Sequence, residues 1–135
     1  GALEEMNRNN QLLVVNELYG VRYATPRQPI ERAFREERFP LLDWPIDRLE
    51  VMQQEFPDRL FRVYIEPPDI DSLKRRLADG RDPSEQRLDV AKAEIAILAA
   101  GAYDGAIDYR TVSREGEIAV IANEIYQAYL KATGI

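Results

Sequence analysis

The chain has 135 residues, 45% of them hydrophobic, a net charge of -6 and an isoelectric point near 4.8, which fits one ordinary globular domain and argues against a surface built to grip nucleic acid or anionic membrane. Cysteine and histidine are both absent, so disulfides, thiolate nucleophiles, thiolate metal sites and the commonest general base are excluded. Any chemistry falls to carboxylates, arginines, hydroxyls and backbone amides, and no apolar run is long enough to span a bilayer.

The chain opens Gly-Ala rather than Met, which reads as a trimmed or cloning-derived start with sequence upstream. Leu3 to Asn10 carries a weak helical stripe at Leu3 and Met6, and Leu12 to Val15 is a short apolar run, giving helix, turn, strand. Leu18 to Tyr23 reads as a hairpin crossing at Gly20, where a glycine accepts a backbone angle that a Cβ resists. Thr25-Pro26-Arg27-Gln28-Pro29 opens a helix with Ile30, Ala33 and Phe34 on one face. Phe39 to Trp44 reads as a buried strand, and Ile46, Leu49, Met52 and Phe56 as the stripe of the next helix, closed by Pro57-Asp58.

Phe61 to Leu77 then holds a strand, a corner and a helix start. Phe61, Val63 and Ile65 alternate with Arg62 and Tyr64, and Pro67-Pro68 must end the strand because neither can donate to a ladder. Asp69 is placed to cap a helix whose stripe is Ile70, Leu73 and Leu77, leaving Lys74, Arg75 and Arg76 as surface charge. After the polar break at Ala78 to Arg81, Asp82-Pro83-Ser84-Glu85 is a capping-box pattern that starts a long helix carrying Leu88, Ala91, Ile95, Leu98 and Ala102 and ending near Gly101. Asp104 to Tyr109 is a third strand, and Ser113 caps a final helix striped by Ile118, Ile121, Ala122, Ile125 and Tyr129. Strands and helices alternating from Phe39 onward predict an α/β parallel sheet with crossover helices.

Four pieces together resemble the guanylate kinase family. They are Tyr19 to Pro26, the Leu41-Leu42-Asp43 strand end, Ile65-Glu66-Pro67-Pro68 followed by an acidic cap and Leu-x-x-Arg-Leu, and the Ala102-Tyr103-Asp104 corner, in that family's order and at similar spacings. The resemblance implies a P-loop-kinase-like three-layer parallel sheet, incomplete at its first, P-loop strand, with a small monophosphate-binding subdomain at about 1–38, core at 39–77 and 102–135, and a lid with its following helix at 78–101. It also implies transfer of the ATP γ-phosphoryl group to GMP with magnesium, chemistry that rests on positioning and charge neutralisation. The glycine-rich cradle and its lysine are not in these residues: Lys74, Lys92 and Lys131 all fall in helix patterns. ATP and magnesium are therefore expected only where an upstream cradle is supplied, and without the cradle strand the sheet lacks its central member.

Carried over residue by residue, the resemblance places Tyr23 on the GMP phosphate and Thr25 on the guanine. Asp43 keeps the first acid of the family's Asp-x-Asp strand end. The glutamate that reads the guanine edge falls on Val14, the second acid falls on Pro45, and Tyr109 stands where the family tends to place asparagine. A valine cannot accept hydrogen bonds from guanine, and a site missing its polar partners loses discrimination. Arg81 and Arg87 fall near the arginines that hold ATP phosphates, and no metal-ligating residue is implied. The sequence thus predicts a guanylate-kinase-like domain with degenerate nucleotide sites, inactive on its own and acting as a binding or assembly module; the alternative is the truncated body of an active guanylate kinase. Expected partners are a protein or second subunit that completes the sheet, and GMP, in the cytoplasm.

Overall fold

The computed structural model describes residues 1–18, 20–78 and 86–134, which fall into two units, Gly1–Pro57 and Asp58–Ile135. In the first unit, α1 (Ala2–Arg8) has Glu4 and Glu5 in its first turn and Arg8 in its last, charges that suit the helix dipole. The chain turns at Asn10 and enters β1 (Leu12–Leu18), which pairs antiparallel with β2 (Val21–Pro26) across Gly20 at φ +78°. This is the expected hairpin. A register shift between Leu12 and Val14 lets both Leu12 and Leu13 be buried, where strict alternation would have exposed one of them. The Arg27 amide donates to the Gln11 carbonyl, so α2 (Arg27–Arg35) starts directly from the hairpin, with Pro29 in its first turn, where a missing N–H costs nothing. Ile30 is buried, and Phe34 meets Phe56 edge to face at 5.4 Å. A 3-10 turn at Ile46–Arg48 leads into α3 (Leu49–Glu55), which buries Met52 and holds Arg27 through Glu55 at 3.1 Å.

The strand expected at Phe39 to Trp44 does not form. Residues 38–45 are irregular, and Phe39, Leu41 and Leu42 are 67%, 93% and 46% exposed. Apolar content alone does not make a strand: among the described residues no strand pairs with this run, and Pro40 removes one of its ladder donors.

In the second unit, β3 (Val63–Glu66) and β4 (Tyr109–Val112) form a two-stranded parallel sheet, with Val63 opposite Tyr109 and Glu66 opposite Val112. The long crossover between them contains α4 (Ile70–Leu77) and α5 (Gln86–Ala99), the connection a parallel pair requires. Asp69 caps α4 as expected, its Oδ1 accepting from the Ser72 amide at 2.6 Å. The last strand lies later than Asp104 to Tyr109, because 101–106 is a run of turns with Gly101 and Gly105 at positive φ. Pairing then starts where Asp108 reaches Arg62. Ser113 does not cap α6 (Ile118–Thr133); Glu117 precedes that helix, and the Ser113 hydroxyl instead accepts from Arg76 at 2.8 Å. Arg76 is accordingly half-buried rather than surface charge. Leu88, Leu98 and Ile121 are the buried aliphatic side chains among the described residues of this unit, with Phe61 edge to face on Tyr129 at 5.6 Å. Among the described residues, no helix is long and apolar enough to cross a membrane.

Candidate nucleotide site

The antiparallel register places side chains directly opposite one another on one face of the hairpin. Val14 stands opposite Thr25 and Asn16 opposite Tyr23, so these four share a face. Tyr23 is half-exposed and Thr25 and Val14 are half-buried, which leaves both hydroxyls of the predicted substrate contacts on one small surface. Asn16 is the deepest polar group there, at 5% exposure, and its Oδ1 accepts no hydrogen bond from the described residues. Its one signal in the sequence is a carboxamide directly following the apolar run Leu12 to Val15. On the opposite face Arg22 donates to Glu4 at 2.7 Å, tying α1 to the hairpin, and this hydrogen bond is the main reason the Glu4 carboxyl is pulled down to about 2.

Asp43 belongs to the same unit but is exposed in the irregular stretch before Trp44, so the strand end that was to present it is absent. Arg87 lies in the first turn of α5 in the second unit, exposed. Arg81 and the capping box at Asp82 to Glu85 lie outside the described residues, as does Tyr19. The structure therefore brings Tyr23 and Thr25 together with Val14 and Asn16. Among the described residues no group of three or more acidic side chains could hold a metal ion.

The second unit carries a polar network that the sequence did not suggest. The Tyr64 hydroxyl donates to Glu94 at 2.8 Å, and Arg110 lies 6.0 Å from the Tyr64 ring centre while binding Glu66. Burial, then the Glu94 hydrogen bond, raises the Tyr64 phenol above its usual range. Nearer the strand starts, Asp108 accepts from the Arg62 backbone amide at 2.7 Å and from its guanidinium at 2.9 and 3.1 Å. Burial pushes the Asp108 carboxyl up, but those hydrogen bonds outweigh it and leave the group below its ordinary value. A surface groove of about 430 Å³ along α2 includes Arg32 and Arg38, but both pair with Glu36 and the groove contains none of the predicted site residues.

No family model matches the chain. It is 32% identical over 109 residues to a guanylate kinase of Bacillus cereus, covering 78% of this chain and 52% of that protein. To a guanylate kinase of Lactococcus lactis it is 32% identical over 120 residues, covering 86% and 55%. The crystal structure of guanylate kinase from Anaplasma phagocytophilum matches with a TM-score of 0.71 at 22% identity, covering 98% of this chain and 61% of that one. The chain thus spans about half the length of the curated relatives it matches. The agreement in sequence over about four fifths of the chain, together with the likeness in fold, identifies these residues as a guanylate-kinase-like domain.

Proposed function

We propose that these 135 residues form a binding or assembly module that keeps a site for a purine nucleoside monophosphate and does not complete phosphoryl transfer by itself. The observation that carries this reading is the hairpin face on which the Tyr23 and Thr25 side chains stand together, with Val14 opposite Thr25 where the family resemblance expects the base-reading acid. Two hydroxyls can hold a phosphate and one base atom. They cannot neutralise the charge of a transferring phosphoryl group, which depends on a cationic cradle worth several kcal/mol, on the order of a thousandfold in rate. Calorimetry with GMP, then ATP and magnesium, tests the reading on the purified chain. Heat from GMP without ADP formation in a coupled assay is the expected result; a folded sample silent to both nucleotides sinks the nucleotide part, and ADP formation at kinase rates sinks the inactive part.

A second reading, an assembly subunit whose sheet another chain completes, is favoured by β3. Among the described residues it pairs with β4 alone, and Ile65 on it is 50% exposed. An open edge beside apolar surface is a template for a further strand. Light scattering across a concentration series separates the two, since this reading requires a dimer or larger species.

A further inference from the structure

Successive residues of a strand turn their backbone groups to opposite edges, so a strand paired on one side leaves alternate residues unpaired on the other. The Arg62 carbonyl accepts from the Asp108 and Tyr109 amides, and the Glu66 carbonyl from the Ser113 amide, so residues 62, 64 and 66 turn their backbone towards β4. Val63 and Ile65 therefore direct their amides and carbonyls to the opposite edge, where no strand pairs among the described residues. We propose that this edge is an interface between two copies of the chain, β3 pairing antiparallel with itself about a two-fold axis at Tyr64. The inference rests on the assembly reading of β3 and adds to it the partner, a second copy, and the register.

The register follows from Arg62-Val63-Tyr64-Ile65-Glu66, a run complementary to its own reverse. With Tyr64 opposite its own copy, Val63 faces the other copy's Ile65, and opposed residues of that kind exchange both of their hydrogen bonds. Every outward amide and carbonyl of the two residues is then used. On the face that carries Tyr64, Arg62 meets the other copy's Glu66; on the other face Ile65, 50% exposed, meets the other copy's Val63. Within each chain Arg62 already pairs with Asp108 and Glu66 with Arg110. The two-fold axis joins these pairs into a row of alternating sign, Asp108 and Arg62 from one copy, Glu66 and Arg110 from the other. A parallel in-register pairing would set Arg62 against Arg62 and Glu66 against Glu66, which repels. A two-fold contact uses the same patch on both copies, so it closes at a dimer.

The test is analytical ultracentrifugation of the 135-residue chain from about 10 μM to 1 mM, beside Ile65→Lys, followed by cysteine cross-linking, which a chain without cysteine makes clean. A monomer throughout the series ends both the assembly reading and this inference. Support is a monomer–dimer equilibrium that Ile65→Lys weakens about tenfold or more, since a lysine on an edge strand opposes pairing and the half-exposed side chain lets the fold accept it. A smaller effect overturns β3 as the interface and leaves assembly through another surface standing. The register is read from Tyr64→Cys and Ile65→Cys, each checked for folding by circular dichroism and then oxidised. The two-fold axis brings the two Cα atoms at position 64 to about 4.5 Å, within disulfide reach, and leaves those at position 65 beyond it. Cross-linking about fivefold or more faster in Tyr64→Cys supports the register, and a smaller ratio overturns it. If Tyr64→Cys does not fold, the Ile65→Lys comparison decides alone.

Discussion

Val14 tests the site most sharply, because one substitution restores the group the hairpin face lacks. Val14→Glu places two acceptors on that face opposite Thr25, and the expected outcome is a GMP-to-IMP affinity ratio raised about tenfold, read by calorimetry. A carboxylate at this half-buried position also costs about 1 kcal/mol of stability without ligand, visible as a lower melting midpoint. In the second unit, Tyr64→Phe keeps the ring beside Arg110 but removes the donor to Glu94. It is expected to cost about 1 kcal/mol in urea unfolding, because the half-buried Glu94 loses its partner. Since burial and Glu94 raise the phenol above its usual range, the hydrogen bond persists throughout neutral pH and this loss does not vary with pH there.

Between elements, the Arg62 and Asp108 pair holds the starts of β3 and β4 together, with three hydrogen bonds to one carboxylate and the Asp108 amide donating back to the Arg62 carbonyl. The folded Asp108 carboxyl lies below its ordinary value of 3.8, so its contribution is fully present above about pH 4 and is lost as pH falls through the lower folded value. Asp108→Asn is expected to lower stability by about 1 kcal/mol at pH 7, a modest figure because the pair is partly solvated, and by progressively less below pH 4. Urea unfolding at pH 7 and pH 3 checks the sign. The turn before β4 gives a second expectation: Gly101 has φ +83°, and a Cβ there would lie 2.9 Å from Asp104 Oδ2. Gly101→Ala destabilises by about 1 kcal/mol or more, with Asp104→Ala relieving the contact but not the backbone strain.

Taken whole, the chain buries little. Leu12, Leu13, Ile30, Met52, Leu88, Leu98 and Ile121 are its buried apolar side chains among the described residues, while Leu41 and Ile118 are 93% and 81% exposed. That core is thinner than the length and hydrophobic content imply, and α5, with Val90 and Ile97 exposed, is apolar around much of its circumference. The isolated chain is therefore expected to unfold at a stability of about 5 kcal/mol or less, at the bottom of the usual range. A monophosphate that binds only the folded form adds about 2.7 kcal/mol at one hundred times its dissociation constant, so GMP should raise the melting midpoint in proportion to the logarithm of its concentration. A midpoint indifferent to saturating GMP contradicts the proposed site.

What the sequence determined by itself is local. The hairpin at Gly20, the Asp69 cap, the two prolines that stop β3 and the stripe of α4 depend on residues within a turn or two of one another, and each is where the pattern put it; of the expected α6 stripe, Ile121 is buried but Ile118 is 81% exposed. Tertiary structure decided what depends on a distant partner. Phe39 to Trp44 has strand composition but, among the described residues, no strand beside it, and β4 begins at Tyr109 because Asp108 is anchored to Arg62, 46 positions away in sequence. Ser113 serves Arg76 rather than a helix for the same reason. The identity of Tyr23 and Thr25 as neighbours was legible from their spacing, but Asn16 became visible only when pairing set it opposite Tyr23 and burial left its oxygen without a donor. Backbone preference and capping act over a few residues and are written in the sequence; ladder pairing and desolvation belong to whichever surfaces the fold brings together.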